Sequence, residues 1–166
     1  MTYSVGNSLS SPLAHVREII SYPNSLVRLG TQDGPMTGML NRGGMMTPLV
    51  DLRRLLGQDK RDWSVRPKVL IVQDGNTNFG FIVDTVDAIV FVKPDEEMIC
   101  TDRVVILPNG HPALAQLLRL AMIEGSVQRR TMTLLDLAGL ARTLQQEAVS
   151  AGQTSARPML SKTARG

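Results

Sequence analysis

Side chains that carry chemistry are scarce in this chain: its 166 residues include one cysteine, two histidines and one tryptophan. Cys100 cannot close an internal disulfide and has no companions at metal-ligand spacing. It reads as a small buried hydrophobe in a reducing compartment. His15 and His111 lie about a hundred residues apart and announce neither a metal set nor a nucleophile–base pair, so each is expected to be solvated or to cap a turn. Long apolar runs are also missing. VLIV and AIVFV fall far short of the roughly 20 residues that cross a bilayer, so no membrane insertion is expected. The start, MTYSVGNSLSSP, has no positive charge ahead of an apolar stretch, which excludes a secretory signal and favours a cytoplasmic protein.

An excess of one charge is nearly absent too. The formal net charge of +3 is matched by Arg157, Lys162 and Arg165, which lie in residues 151–166 without a single acid, and the remainder is neutral. The aromatics, Tyr3, Tyr22, Trp63, Phe79, Phe81 and Phe91, are not interleaved with bases as a stacking platform for single strands requires. Arg53, Arg54, Lys60, Arg61, Arg66 and Lys68 form a local basic stretch diluted by Asp59 and Asp62. A solvated connection is the simpler reading, and a small basic barrel that binds nucleic acid through these bases and the tail is the alternative.

What the chain does have is apolar content, 43% of its residues, enough for one domain or two very small barrels sharing a core. The dominant period is two and the candidate strands are short and β-branched, which predicts an all-β domain. KVLIVQ (68–73), a turn at Asp74, Gly75 and Asn76, and FGFIVDTV predict a hairpin over 68–86, with AIVFV continuing the sheet and KPDEE ending it. PLAHVREIIS places Leu13, Val16, Ile19 and Ile20 for a helical turn or two. DLRRLLG predicts a short helix capped by Asp51 and stopped by Gly57. DLAGLARTLQQEAVSAG predicts a C-terminal helix capped by Asp136, with Leu137, Leu140 and Leu144 as its apolar stripe, followed by a disordered tail. HPALAQLLRLAMIEG stays open between a helix and a loop feeding a strand, the latter pairing with QRRTMTLL across EGS at 124–126. An internal echo links MTPLVDLRRLL (46–56) to MTLLDLAGLA (132–141): strand, Asp-Leu, then helical leucines.

GMLNRGGMMTPLVDLRRLLG (38–57) lacks the Gly-Lys-Ser/Thr of a phosphate loop, and Gly38, Gly43 and Gly44 lack dinucleotide spacing. Gly43 and Gly44 instead permit an abrupt backbone path, and strand alternation predicts one of Met45 and Met46 inward and one outward. Asp84 and Asp87, three apart in a strand, point to opposite faces and read as turn and strand-end groups. No catalytic, cofactor-binding or metal-ligating residue is assigned.

These pieces, in this order, resemble the CheW family of chemotaxis coupling proteins over about residues 3–145. PLAHVREII resembles the family's Val-x-Glu segment with Val16 and Glu18. The glycine-rich stretch resembles its Asn-x-Arg-Gly, Pro, Asp-Leu-Arg signature through Gly38, Asn41, Gly44, Pro48, Asp51, Leu52 and Arg53. The hairpin resembles it through Gly80, Val83, Asp84 and Val86, and TLLDLAGL resembles its closing strand and helix. The resemblance implies two intertwined SH3-like five-stranded β-barrels over residues 1–145, with short helical turns and a C-terminal helix. Residues 146–166 would be the end of that helix and a disordered basic tail. It also implies a non-enzymatic adaptor joining the regulatory domain of a CheA-like histidine kinase to the cytoplasmic tips of methyl-accepting chemoreceptors. The partner-binding set carried over is Val16, Glu18, Asn41, Arg42, Gly43, Gly44, Asp84 and Val86. One departure falls at the loop: Gly43 stands where the family has its arginine, and Arg42 comes one residue early. With no phosphotransfer or ATP-binding segment, the chain reads as a small protein rather than a piece of the kinase.

Overall fold

The computed structural model describes residues 1–28, 34–59, 66–104, 107–125 and 129–154. The chain opens with β1 (Thr2–Val5) and β2 (Asn7–Ser10), passes through a 3-10 turn (Leu13–His15), and builds β3 (Val16–Ser21), β4 (Met36–Arg42), β5 (Met45–Asp51) and the short helix α1 (Leu52–Leu55). β6 (Lys68–Asp74), β7 (Thr77–Val83), β8 (Thr85–Ala88) and β9 (Glu97–Val104) follow. A second 3-10 turn (Pro112–Gln116), β10 (Leu118–Glu124), β11 (Arg129–Leu135) and α2 (Leu137–Thr154) complete it.

The strands form two sheets. One has five in the order β3-β6-β7-β5-β4, and the other has six in the order β8-β1-β2-β11-β10-β9. The architecture is the expected pair of intertwined β units with a C-terminal helix, except that one sheet has a sixth strand. That strand is β8, which leaves the β6–β7 hairpin at Asp84 and pairs with β1 across the boundary. The intertwining is visible in the chain path: β1 and β2 belong to the second sheet, β3 to β7 build the first, and β8 returns to the second.

β6 explains why KVLIVQ reads as a strand with no polar face. Val69 and Ile71 bury into a small cluster with Leu49 and Ile82, while Leu70 and Val72 bury into a larger cluster that spans both sheets. A strand covered on both sides needs apolar residues at every position. Phe79 and Phe81 join the larger cluster, stacked with centroids 6.5 Å apart. Gly80, between them, is required by packing, since a Cβ there would sit 2.3 Å from Leu49 Cδ2.

The echo corresponds to two equivalent seams. β5 pairs in parallel with β7, and β11 with β2, the only parallel pairings among otherwise antiparallel described strands. Each of the two strands runs directly into a helix capped by an aspartate. Asp51 Oδ1 accepts from Arg53 N at 3.0 Å, and Asp136 Oδ1 accepts from Gly139 N at 2.9 Å. Beside the second seam, the buried Tyr3 hydroxyl meets Ser11 Oγ at 2.8 Å and Ser11 donates to the carbonyl of Leu135 at 2.7 Å.

Several expectations change. The helical turn before residue 20 shrinks to Leu13–His15, and the β-branched run from Val16 continues as a strand paired with β6. AIVFV does not extend the sheet of β6 and β7. Only Ala88 is in a strand, in the other sheet, and Ile89, Phe91 and Val92 are exposed. Residues 112–123 resolve into a 3-10 turn and a strand, pairing with β11 as the second option required. At the Asp74–Thr77 turn only Gly75 has a positive φ, of 56°. Cys100 is exposed on the edge strand β9, because nothing among the described residues covers that edge. α2 runs to Thr154, past the predicted start of the tail, and the predicted disorder of 155–166 lies outside the described residues.

Candidate functional site

The β4–β5 hairpin ends in a two-residue loop, with Arg42 opposite Met45. Gly43 and Gly44 have φ of 57° and 85°, the pair of positive angles of a type I′ turn, which matches the twist of the flanking strands. That requirement accounts for the glycine where the resemblance would put arginine. Asn41 Oδ1 accepts from Gly44 N at 3.1 Å and closes the loop.

Arg42 reaches across to Glu18 with two bonds, from one guanidinium nitrogen to Oε2 at 2.7 Å and from the other to Oε1 at 2.9 Å. β3 and β4, which carry these residues, are the two edges of the five-stranded sheet, so the pair joins edge to edge and marks the sheet as curled into a barrel. The hydrogen bond from Arg42 holds the Glu18 carboxyl below the ordinary carboxylate range. Its two neighbours on β3 are handled differently. A register irregularity between Val16 and Glu18 sets Val16 opposite Val72 and Glu18 opposite Ile71. Val16 therefore packs against the large shared core, while Glu18 shares the side of Ile71 and the small barrel cluster. Arg17, in the irregularity, donates to Gln73 Oε1 at 2.8 Å.

Both methionines at the tip are exposed, Met45 by 48% and Met46 by 44%, against the expected one in and one out. Alternation holds, but the hairpin projects past the material that would cover either face. Sequence reading weighed these two residues for core and partner face without adding them to the site; the adjacent Gly-Gly marks the tip that exposes both.

Asp84 and Val86 lie elsewhere, at the crossing between sheets. Arg53 Nε approaches Asp84 Oδ1 at 2.6 Å, Gly6 N donates to Asp84 Oδ2 at 2.8 Å, and Asp84 N donates to the carbonyl of Ser4 at 2.8 Å. Arg53 and Asp84 side chains are each only 15% exposed, so Asp84 ties α1, β1 and the turn after β1 to the start of β8. Val86 sits opposite Tyr3, half-buried against the shared core. Asp87, as expected of a strand-end group, accepts from Ser4 and Thr85. The predicted site residues thus divide into a hairpin-tip group and a seam group.

Each histidine meets a single carboxylate, one at the cap of α2 and one on the helix. His15 Nδ1 lies 3.5 Å from Asp136, and His111 Nε2 lies 3.5 Å from Glu147 while its Nδ1 accepts from Ala113 N and caps the second 3-10 turn. Among the described residues no group of three His, Cys, Asp or Glu side chains is placed to hold a metal ion. Of the basic stretch, Arg53 is paired, Arg66 donates to the Tyr22 carbonyl and to Asn24, and Lys68 donates to Ser21. Lys60 and Arg61 lie outside the described residues.

The chain belongs to the CheW-like domain family, which matches residues 2–145, and that membership supports a scaffold role in chemotaxis. It is similar in fold to the scaffolding protein TtCheW from Thermoanaerobacter tengcongensis, known from a crystal structure. The TM-score is 0.60 at 18% identity, over 82% of this chain and 86% of that one. No curated protein matches the chain. Among the described residues no helix is long and apolar enough to cross a membrane.

Proposed function

We propose that this chain is a non-enzymatic cytoplasmic adaptor that couples a CheA-like histidine kinase to chemoreceptors and is recruited through them to membrane-associated arrays. One face binds the kinase's regulatory domain. The hairpin-tip group, Val16, Glu18, Asn41, Arg42, Gly43 and Gly44, meets the cytoplasmic tip of a methyl-accepting receptor, and Asp84 and Val86 hold the two barrels in the relation that both contacts need. The observation that carries this reading is the tip itself: a rigid turn whose polar groups are bonded to one another and whose methionines are bare. Polar pairs of that kind set register, while exposed apolar groups supply affinity.

The test is co-purification of the tagged full chain with the kinase and with a soluble receptor fragment from the same genome. Retention of both supports coupling. Retention of neither, with binding instead to DNA or RNA that falls steeply with salt, would establish the nucleic-acid alternative.

A further inference from the structure

Two polar atoms on the inner face of the five-stranded barrel stand without partners. Thr47 is 1% exposed, and its hydroxyl, like the side-chain carbonyl of Asn78, is shut off from solvent and meets no hydrogen-bonding group among the described residues. Both belong to one face. Leu49, two residues after Thr47, and Gly80, two after Asn78, stand opposite each other in the parallel β5–β7 pair, and Leu49 lies in the small cluster. The same register carried back by two residues sets Thr47 beside Asn78. Their outer neighbours are Leu40 on β4 and Gln73 on β6. The polar groups on the adjoining strands are engaged elsewhere: Gln73 gives Nε2 to the carbonyl of Gly75 and receives Arg17 at Oε1, and Glu18 and Arg42 bind each other. Pro48, between Thr47 and Leu49, has no N–H to offer.

An unpaired hydroxyl and an unpaired amide carbonyl side by side are costly to bury, and an ordered internal water is the usual way such groups are satisfied. From this we infer that the small barrel binds one water molecule between these side chains, donating to Asn78 Oδ1 and sharing a second hydrogen bond with Thr47 Oγ1. The ligand must donate, because an amide oxygen only accepts. It must be neutral, because the charges on the neighbouring β3 and β4, Glu18 and Arg42, are spent on each other. It must be small, because Leu49, Val69, Ile71 and Ile82 fill the interior alongside. Held there, the water carries the parallel seam past its Leu49–Gly80 end and fixes β5 on β7 at the foot of the β4–β5 hairpin.

The test is a high-resolution crystal structure of the full chain, together with thermal unfolding of Thr47→Val, which keeps the shape of the side chain and removes its hydroxyl. One water within about 2.7–3.2 Å of both Thr47 Oγ1 and Asn78 Oδ1 is expected. Thr47→Val takes a partner from that water and is expected to lower the melting temperature by about 2–4 °C. A bare hydroxyl would give the opposite sign, because replacing an unpartnered buried polar group by a methyl stabilises. Thr47→Ser keeps the hydroxyl and is expected to retain the water in its own crystal structure. A direct hydrogen bond between the Thr47 and Asn78 side chains, a dry site, or a Thr47→Val protein at least as stable as the wild type overturns the inference.

Discussion

The two strand-to-helix seams share one local code and end in different structures. β5 enters α1 through Asp51-Leu52, and β11 enters α2 through Asp136-Leu137, each aspartate accepting from a backbone amide of the first turn. α1 lasts four residues and α2 eighteen. The difference lies downstream: Gly57, at φ 75° against Asn109, stops α1 at once, whereas Gly139 and Gly152 lie within α2, which presents Leu137, Leu140 and Ala141 to the core. The first seam belongs to a barrel that has its own small cluster and is drawn shut by Glu18 and Arg42. The second belongs to a sheet that sends Leu118 and Leu135 into the shared core and also buries Ala121 and Ile123 outside it.

That contrast can be broken most forcefully in the cores. Phe81→Ala cuts the cluster common to both sheets and is expected to cost about 3–5 kcal/mol, with one cooperative transition that takes both sheets. Ile71→Val trims only the small barrel cluster and is expected to cost about 0.5–1.5 kcal/mol. Urea unfolding followed by fluorescence and circular dichroism checks both, and separate transitions for the two sheets would contradict a shared core.

The caps sharpen the comparison on a smaller scale. Asp51 is buried, which raises its carboxyl above the usual range against the opposing pull of its amide bonds and of Arg53 and Arg54, whereas Asp136 is more open. An acid with a raised folded-state pKa binds its proton more tightly when folded, so stability falls as pH rises from the unfolded value of about 3.9 through the folded one. Asp51→Asn is expected to stabilise the chain modestly at pH 7, with the advantage disappearing in acid; Asp136→Ala is expected to cost about 1 kcal/mol. Chemical denaturation at two pH values measures the first, and a variant that is less stable at pH 7 than at pH 4 relative to wild type would reverse the sign.

The smallest effect belongs to Glu18. Its folded-state pKa is lowered, so its contribution is present above the unfolded carboxylate range and is lost as pH falls through the folded value. Glu18→Gln is expected to remove a small part of the acid-side loss of stability, visible as a flatter melting-temperature profile at low pH, because the pair is exposed and screened.

Much of the fold was legible in the chain because its signals were local: Gly-Gly for the tip, Asp-Leu for the caps, and an apolar run in β6 covered on both faces. The misreadings came from tertiary context. AIVFV has strand composition, yet β8 leaves for the other sheet at Ala88 and Ile89 to Val92 are left outside. Val16, Ile19 and Ile20 fit a helical stripe, but all three are β-branched, and pairing with β6 decided for a strand. At the site, Glu18 and Arg42 were both named from motif, but no sequence rule joins residues 24 apart on strands at opposite edges of one sheet. The exposure of both methionines likewise depends on what fails to cover them.

Coupling in one molecule is the claim on which the functional account turns. Analytical ultracentrifugation of the full chain mixed with the kinase regulatory domain and a receptor-tip fragment tests it directly. The account predicts one sedimenting species containing all three, and mutually exclusive pairs would contradict it.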